Sequence, residues 1–515
     1  MNLVLKIWIP LAQHPEQASI IASVAFSVAS EGGFSMNNIW DSLNANFSWF
    51  NDVIYTWILI PLLIGAGLYF TVRSKGLQFR LFRKMFKVIG RSREKEKGQI
   101  SSFQAFAIGL AARVGTGNIA GVAVAITLGG AGAVFWMWVV AILGMATAFI
   151  EAALAQLFKV PWRDGTFRGG PAYYIWKGLG SWGWGAAFAV ALLFTYGIAF
   201  ELVQSNTISN TLYDAYNFPT WATGLVVTVL TGLVILGGLK SVARVTEIVA
   251  PAMALVYIAI SLAVIATHLD HIIPVFTEIF ESAFGVNEAF AGTAGGFTAA
   301  LMNGVKRGLY SNEAGMGSAP NAASTATTIH PARQALIQSM GVFVDTMLVC
   351  SATAFIILTS GIYVPGQDVE GATLTTSAAV SALGGWLEPV MIVLVFVFCF
   401  SSLIGNYAYA EVNMDYLFPG KKSADVVLRV IVVAATFIGA IAKLGLVWTL
   451  ADTSMFFMAV INLVAIILLG KWAFGVLRDF ESTDGEGAFV AVENQYLPGE
   501  IPDTIWTKET AGQEH

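Results

Sequence analysis

The sequence predicts an all-α, multi-spanning membrane protein of eleven spans: two five-helix repeats of opposite orientation behind one extra N-terminal span. Three observations carry this. Hydrophobic residues make up 56% of the 515 residues and charged residues only 12%, about half the charged share of a soluble domain. Mean hydropathy is +0.69, and apolar runs recur at about 20 residues, the length a helix needs to cross the hydrocarbon core. Basic residues gather in alternate connections, as the positive-inside rule requires when every span is counted correctly.

Residues 1–50 form a lead-in with two short apolar pieces, Leu3–Leu11 and Ser19–Ser30. They fit a signal peptide, a surface segment or an extra short helix. The first span, Asp52–Val72, lies in the segment 51–73. A basic segment, 74–99, follows with Lys75, Arg80, Arg83, Lys84, Lys87, Arg91, Arg93, Lys95 and Lys97. It is expected on the cytoplasmic side as an interfacial amphipathic helix through Phe86.

The first repeat, 102–267, holds spans at about 102–127, 132–157, 184–206, 219–238 and 246–267. An acidic amphipathic piece, 268–288, is expected along the outer surface. The second repeat, 289–470, holds spans at about 289–310, 335–360, 386–411, 426–442 and 447–470. The polar tail 478–515 is expected to be cytoplasmic and flexible. Eleven spans put the start of the first outside and the end of the last inside. The inner connections then carry Lys159, Arg163, Arg168, Lys177, Lys240, Arg244, Arg333, Lys421 and Lys422, while the outer ones carry only Lys443.

The first span of the first repeat is interrupted by Arg113 and by Gly115, Thr116, Gly117 and Asn118. A helix can open in a bilayer only where protein or a cavity covers it. Carbonyls freed there can hold a cation, and free N–H groups a carboxylate. The second repeat opens with Gly292, Gly295, Gly296, Asn303 and Gly304, followed by SNEAGMGSAPNAAS at 311–324. A paired discontinuous helix is expected there, against simple glycine packing with an N-cap at Ser311 or Asn312. Charged and polar residues inside spans mark function. Arg113 is expected to pair with Glu151 or Asp345. Glu201, Gln204, Asn206 and Asn210 are expected near the outer end of their span. Ser401, Ser402, Asn406 and Glu411 share one span.

Several classes are excluded. No phosphate loop, HExxH or GxSxG is present, so no enzyme is indicated. Cys350 and Cys399 lie in apolar segments, and the five histidines show no ligand spacing. Nothing supports nucleic-acid binding.

The stretches LAARVGTGNIAGVA (110–123), FRGGPAYYI (167–175), VQSNTISN (203–210), GLYSNEAGMGSAPNAAS (308–324) and NYAYAEVN (406–413) resemble the alanine or glycine:cation symporter family, in the family's order, from about residue 50 to 475. The resemblance implies a leucine-transporter-like fold, a ten-helix 5+5 inverted-repeat core preceded by one extra helix, and sodium-driven uptake of small neutral amino acids, chiefly alanine and glycine, across a bacterial or archaeal cytoplasmic membrane. Its partners are then the amino acid, sodium and the lipid bilayer; oligomeric state stays open. By analogy, Gly115, Thr116 and Gly117 hold the substrate, with Gln204 and Asn406 on facing helices. Ala112, Gly115, Ser401 and Ser402 hold a sodium ion, and Asn118 holds a second ion or caps the outer half-helix. Some members resembling this family carry a GWSYYGE-like stretch where this chain has GNYAYAE, so Asn406 stands at a tryptophan position. Glutamine, serine or a D-amino acid is the alternative cargo. Proton coupling through Asp345, Glu201 or Glu151 is the alternative drive. A receptor that binds without transporting, signalling through its tail, is the reading from another class.

Overall fold

In a computed structural model, the described residues are 49–93, 99–163, 165–285, 296–364 and 371–509. The lead-in 1–48 and the glycines Gly292 and Gly295 lie outside them. The chain divides into two units, Met1–Val53 and Ile54–His515, and the helices described below all belong to the second.

The membrane-embedded helices begin with α1 (Ile60–Arg73), entered through a wide turn at Tyr55–Leu59. The basic segment contains α2 (Phe82–Gly90). A bent pair follows: α3 (Ser102–Arg113) and α4 (Gly117–Gly129), inclined at 48°. Next come α5 (Gly132–Leu157), the short α6 (Pro171–Leu179), α7 (Trp182–Tyr216), α8 (Thr220–Ile235) and α9 (Gly238–Thr267). A surface helix, α10 (Ile272–Ala283), precedes α11 (Phe297–Asn312) and the short α12 (Ala319–Ser324). The chain closes with α13 (Pro331–Thr359), α14 (Gly371–Leu383), α15 (Gly385–Leu417), α16 (Lys422–Ile441) and α17 (Leu444–Ser482).

Among the described residues, eight helices are long and apolar enough to cross a bilayer, or nine with the bent pair as one span. Two of the eleven expected spans, 219–238 and 289–310, correspond to the shorter helices α8 and α11. Helices α3, α4, α5, α11 and α13 pack together, and α7, α8, α15 and α16 form the neighbouring layer. Large apolar side chains on the outer faces are solvent-exposed, such as Leu233, Ile248, Leu255 and Val430. That is the surface of a protein whose solvent is lipid.

Two small strand pairs sit at one end. Strand β1 (Ile100–Ser101) runs parallel to β4 (Ala326–Thr327), and β2 (Val160–Pro161) antiparallel to β3 (Phe167–Arg168). Ser101 starts α3 with a reciprocal cap: its hydroxyl accepts from Gln104 N–H while Gln104 Oε1 accepts from Ser101 N–H. This satisfies two otherwise orphaned donors. Gln104 Nε2 also donates to Glu247 of α9 at 2.8 Å.

Two expectations are corrected here. Helix α7 continues to Tyr216, so Glu201, Gln204 and Asn206 lie mid-helix and fully buried, not near its outer end. The tail is not flexible over its described part. Phe489, Ala491, Ile501 and Trp506 are buried. Trp506 Nε1 donates to the Gln156 carbonyl at 3.0 Å, and Phe489 N–H to the Ile329 carbonyl at 2.9 Å. Acidic tail residues meet α2 and its neighbours: Arg80–Glu481 at 2.5 Å, Lys84–Asp484 at 2.6 Å and Lys87–Glu486 at 3.2 Å. The lysines hold the Asp484 and Glu486 carboxyls below their usual range. The tail docks because it supplies aromatic anchors among its charges, which net polarity conceals. The basic run is thus a platform for the tail.

Candidate functional site

The two helix breaks face one another in the interior. In the first, α3 ends at Arg113 and α4 starts at Gly117, leaving Val114, Gly115 and Thr116 between. All are buried. Gly115 is required by space, because a Cβ there would fall on Ser402 Oγ. Gly117 packs against Tyr310, where a Cβ would come within 2.9 Å of the ring.

The donors exposed by this break are engaged by side chains. Gly115 N–H donates to Asn118 Oδ1 at 3.0 Å. Thr116 N–H and Oγ1 both donate to Gln204 Oε1, at 3.1 and 2.5 Å. Cys399 Sγ lies 3.2 Å from Thr116 Oγ1. The structure therefore brings Gly115, Thr116, Gln204 and Asn118 into one cluster.

Ser402 Oγ donates to the Ala111 carbonyl at 2.8 Å, and Ser401 Oγ approaches the same oxygen at 3.4 Å. Both hydroxyls also reach the Phe398 carbonyl of their own helix, at 2.8 and 3.2 Å; the α3 carbonyl that meets them is that of Ala111, one residue before the expected Ala112. Ala112 instead packs against Gly405, where a Cβ would meet it within 3.0 Å. The reason is that the helix remains closed through Arg113, which fixes where its last carbonyls point.

Asn118 Nδ2 donates to Asp345 Oδ1 at 2.7 Å and lies 3.1 Å from Ser311 Oγ. Ser311 and Thr346 hydroxyls donate to Asp345 Oδ2 at 2.7 and 2.8 Å. One carboxylate on α13 therefore ties the first break to the end of α11. The second break follows at once, with left-handed backbone at Glu313 (φ 59°), Gly315 (φ 97°) and Gly317 (φ 81°). Asn312 folds onto this turn, its Oδ1 accepting from Ala314 N–H at 3.0 Å.

Arg113 does not pair with Glu151 or Asp345. Its nearest carboxylate is Glu313, with Nε 4.0 Å from Oε2, and Nη1 donates to the Gln338 carbonyl at 3.3 Å. Ser318 and Tyr409 hydroxyls also donate to Glu313, at 2.8 and 3.3 Å. Glu313 falls in the turn between α11 and α12 and is buried only because that turn lies inside the molecule. Glu151 Oε1 accepts from Gly315 N–H at 3.1 Å, Gly317 N–H at 3.0 Å and Asn462 Nδ2 at 2.5 Å. It substitutes for the missing helical carbonyls of the second break.

Outward of the breaks, Arg307 pairs with Asp452 at 2.5 Å and stacks on Trp448 at 4.5 Å. Tyr310 bridges Trp448 and Phe200, with ring centroids at 5.0 and 4.6 Å. A small cleft lies beyond, lined by Ala120, Thr207, Thr211, Asp214 and Trp448. Sequence reasoning missed Arg307, although an arginine and a lysine inside an apolar 22-residue span, 289–310, carried the signal.

Asn406 and Glu201 lie side by side and fully buried. The Asn406 amide is directed at the Glu201 carboxyl, whose Oε2 also has the Thr436 hydroxyl at 3.5 Å. Glu411, expected only at the interface, sits 3.7 Å from Arg168, whose Nε pairs with Asp415 at 2.7 Å. Among the described residues, no cluster of three or more His, Cys, Asp or Glu side chains could hold a transition metal. The donor set at the breaks is carbonyl, hydroxyl and carboxylate oxygen, which suits a hard cation.

Comparison with known proteins identifies the fold and the family. The solved structure of MhsT in complex with L-phenylalanine superposes with a TM-score of 0.54 at 12% identity, over 74% of this chain and 93% of that one. At that identity the likeness shows the fold alone, a leucine-transporter-like helical membrane fold. Among curated relatives, the probable sodium/glutamine symporter GlnT of Bacillus subtilis (strain 168) is 46% identical over 84% of this chain and 89% of its own length. The amino-acid carrier protein AlsT of the same organism is 43% identical over 90% and 99%. The model of the sodium:alanine symporter family matches residues 40–493. The chain therefore belongs to the sodium:alanine symporter family.

Proposed function

We infer that the protein is a sodium-coupled symporter that carries small neutral amino acids, of the alanine and glycine class, into the cell by alternating access across a bacterial inner membrane. The observation that carries this is the meeting of two interrupted helices around Asn118, Ser311 and Asp345. Irregular backbone at membrane depth, lined by polar oxygens, is how secondary transporters hold solute and ion.

Each group then has a role. An amino-acid carboxylate takes the place of Gln204 Oε1, accepting from Thr116 N–H and Oγ1. One sodium ion sits among the Ala111 carbonyl, Ser401 and Ser402. A second sits among Asp345, Ser311, Asn118 and Thr346, which deepens the two-ion reading. Binding either ion steadies the open segment and so favours the amino acid, and linkage makes the effect reciprocal. One charge moving through about 100 mV releases roughly 2.3 kcal/mol, enough to support accumulation.

The architecture proposed is two inverted five-helix units, 102–267 and 289–470, preceded by one span in 51–73 and followed by a cytoplasmic tail. The matched breaks in α3/α4 and α11/α12, and the basic bias of alternate connections, support it. The relatives' names divide between amino acids: one is named a probable sodium/glutamine symporter, while the family is described by alanine.

The test is uptake of radiolabelled L-alanine into proteoliposomes holding only this protein, in sodium, potassium or choline medium. Accumulation solely under an inward sodium gradient, blocked by glycine, is the expected result. Uptake that ignores sodium and collapses with the proton gradient would move the coupling to the buried carboxylates. Deleting 483–515 separates a receptor, whose signalling it would abolish, from a transporter, whose uptake it would leave measurable.

A further inference from the structure

If the protein is a sodium symporter with its tail on the cytoplasmic side, as proposed, an ion freed from the Asn118–Ser311–Asp345 cluster must leave toward the tail. Glu313 lies on that side. It follows Ser311 by two residues, in the turn that leads through α12 to the β1–β4 strand pair, beside which the tail docks. Ser318 donates to its Oε2 at 2.8 Å and Tyr409 at 3.3 Å, and the Tyr196 hydroxyl is directed at it too. The route beyond is polar. One turn on from Tyr409 along α15, Asn413 Nδ2 donates to Asn321 Oδ1 of α12 at 2.9 Å, and Asp415 meets Arg168. A carboxylate ringed by hydroxyl oxygens, at the head of a polar seam, is a resting place for a hard cation.

The cation that stands there is part of the chain. Arg113 ends α3 and is 2% exposed, and its Nε lies 4.0 Å from Glu313 Oε2. The fold makes room for it: at Gly341 of α13 a Cβ would fall on Nη1. Yet the guanidinium is loosely held. Nη1 donates to the Gln338 carbonyl, while Nε and Nη2 make no hydrogen bond, and neither polar atom of the Gln338 side chain does either. Buried donors left open are rare, and an arginine that serves only to tie helices together saturates its fork. The other buried arginines sit in shorter pairs, Arg307 with Asp452 at 2.5 Å and Arg168 with Asp415 at 2.7 Å. Arg113 therefore acts through its charge more than through its bonds.

We propose that Arg113 is a tethered counter-ion at Glu313 that keeps sodium from passing without cargo. Its charge balances Glu313, so the carboxylate does not draw an ion through the closed breaks. Tyr409 belongs to α15, so a shift of the breaks against that helix uncovers Glu313. The carboxylate then takes the leaving sodium briefly, and the adjacent guanidinium sends it on. Loss of Arg113 leaves a bare buried carboxylate on the route, and a cation is drawn to it whether or not an amino acid is bound. Loss of Glu313 does the reverse. The guanidinium then faces the leaving ion alone, a barrier of the kind that keeps cations out of selective pores.

The experiment is entry of labelled sodium into proteoliposomes holding the full chain, under an inside-negative potential, with and without a mixture of L-alanine and L-glutamine. Parent vesicles should admit sodium with the amino acids and stay near protein-free vesicles without them. Arg113→Gln should raise the amino-acid-independent entry about tenfold or more, since a unit charge a few ångströms away is removed. Arg113→Lys keeps the charge and should stay within about threefold of the parent. Arg113→Gln combined with Glu313→Gln should return to the same range, because the attracting carboxylate is gone. Glu313→Gln alone should be tight to sodium, with kcat for amino-acid uptake down about tenfold and the sodium concentration for half-maximal uptake little changed. An Arg113→Gln protein that melts with the parent, carries amino acid and stays tight would overturn the proposal. So would a double variant as leaky as Arg113→Gln, which makes the leak one of lost packing. Where Arg113→Gln does not fold, a parent-like kcat in Glu313→Gln overturns it. These results leave the symporter reading intact; a parent that moves no neutral amino acid under a sodium gradient overturns both.

Discussion

Glu151 offers the sharpest test of how the second break is held. Its Oε1 receives Gly315 N–H, Gly317 N–H and Asn462 Nδ2. In Glu151→Leu, Asn462 still has the Gly315 carbonyl at 2.9 Å as acceptor. The two backbone N–H groups have nothing. Each buried donor left open costs about 1–3 kcal/mol, so the variant should lose about 2–6 kcal/mol. Glu151→Gln keeps an acceptor oxygen in place. It forfeits only the extra strength of a charged acceptor, about 1 kcal/mol per bond. The order of stability should then be parent, Glu151→Gln, Glu151→Leu, with sodium-driven uptake lost in the last. Thermal unfolding in detergent and proteoliposome uptake read the two quantities. Combining Glu151→Leu with Asn462→Ala should be clearly less than additive, because both act on one network. A Glu151→Leu protein that melts with the parent and transports at the parent's rate would refute the reasoning.

Further outcomes are expected. Gly115→Ala should abolish uptake, because its Cβ would fall on Ser402 Oγ, whereas Gly65→Ala, with open space around it, should be silent; uptake assays of the two separate a site effect from a general helix effect. Asp345→Asn should raise the sodium concentration for half-maximal uptake about tenfold or more, from the loss of a charged ligand; a sodium titration of uptake reads it. Trp506→Ala should free the tail by removing a buried ring and its bond to the Gln156 carbonyl, a loss of about 3–5 kcal/mol, seen as faster proteolysis within 483–509. His330 is held neutral: burial lowers its pKa, Nδ1 accepts from Ala332 N–H and Nε2 meets Asp479. Its unfolded form takes a proton near pH 6.5. Stability should therefore fall as pH drops below about 6.5, and level off beneath the lowered folded value. Hydrogen exchange at residues 329–333 as a function of pH checks the sign.

Much of the fold was legible because lipid imposes simple rules. Length, apolarity and the alternation of basic loops locate helices without reference to packing. The first break could be read because two glycines and an asparagine interrupt an otherwise apolar span. The pairing of Arg113 could not. Glu151 and Asp345 lie in obvious spans, whereas Glu313 sits in a turn, and only the folded structure shows that this turn is buried. The shift from Ala112 to Ala111 is of the same kind, since a one-residue difference in where a helix opens leaves no mark on composition. The tail was misread because its four buried apolar residues are spread among charges. Gln204 was placed on the facing wall, and the structure joins it directly to Thr116.

The foot of α3 is pinned. Ile100 and Ser101 are stitched to Ala326 and Thr327 beside α12, and Gln104 is moored to Glu247 on α9. A rod fastened at its lower end cannot peel away from its neighbours like a hinged door. It must either snap these bonds at each cycle or carry its anchorages with it. Since both halves of the chain share the stitch, the least demanding stroke is one in which α3, α4, α11 and α12 tilt as one rigid frame, with the α9 anchorage carried along, against α7 and α15. The Ser402 and Gln204 contacts then become the bearing surface, and the tail a weight that moves with the frame or holds it still.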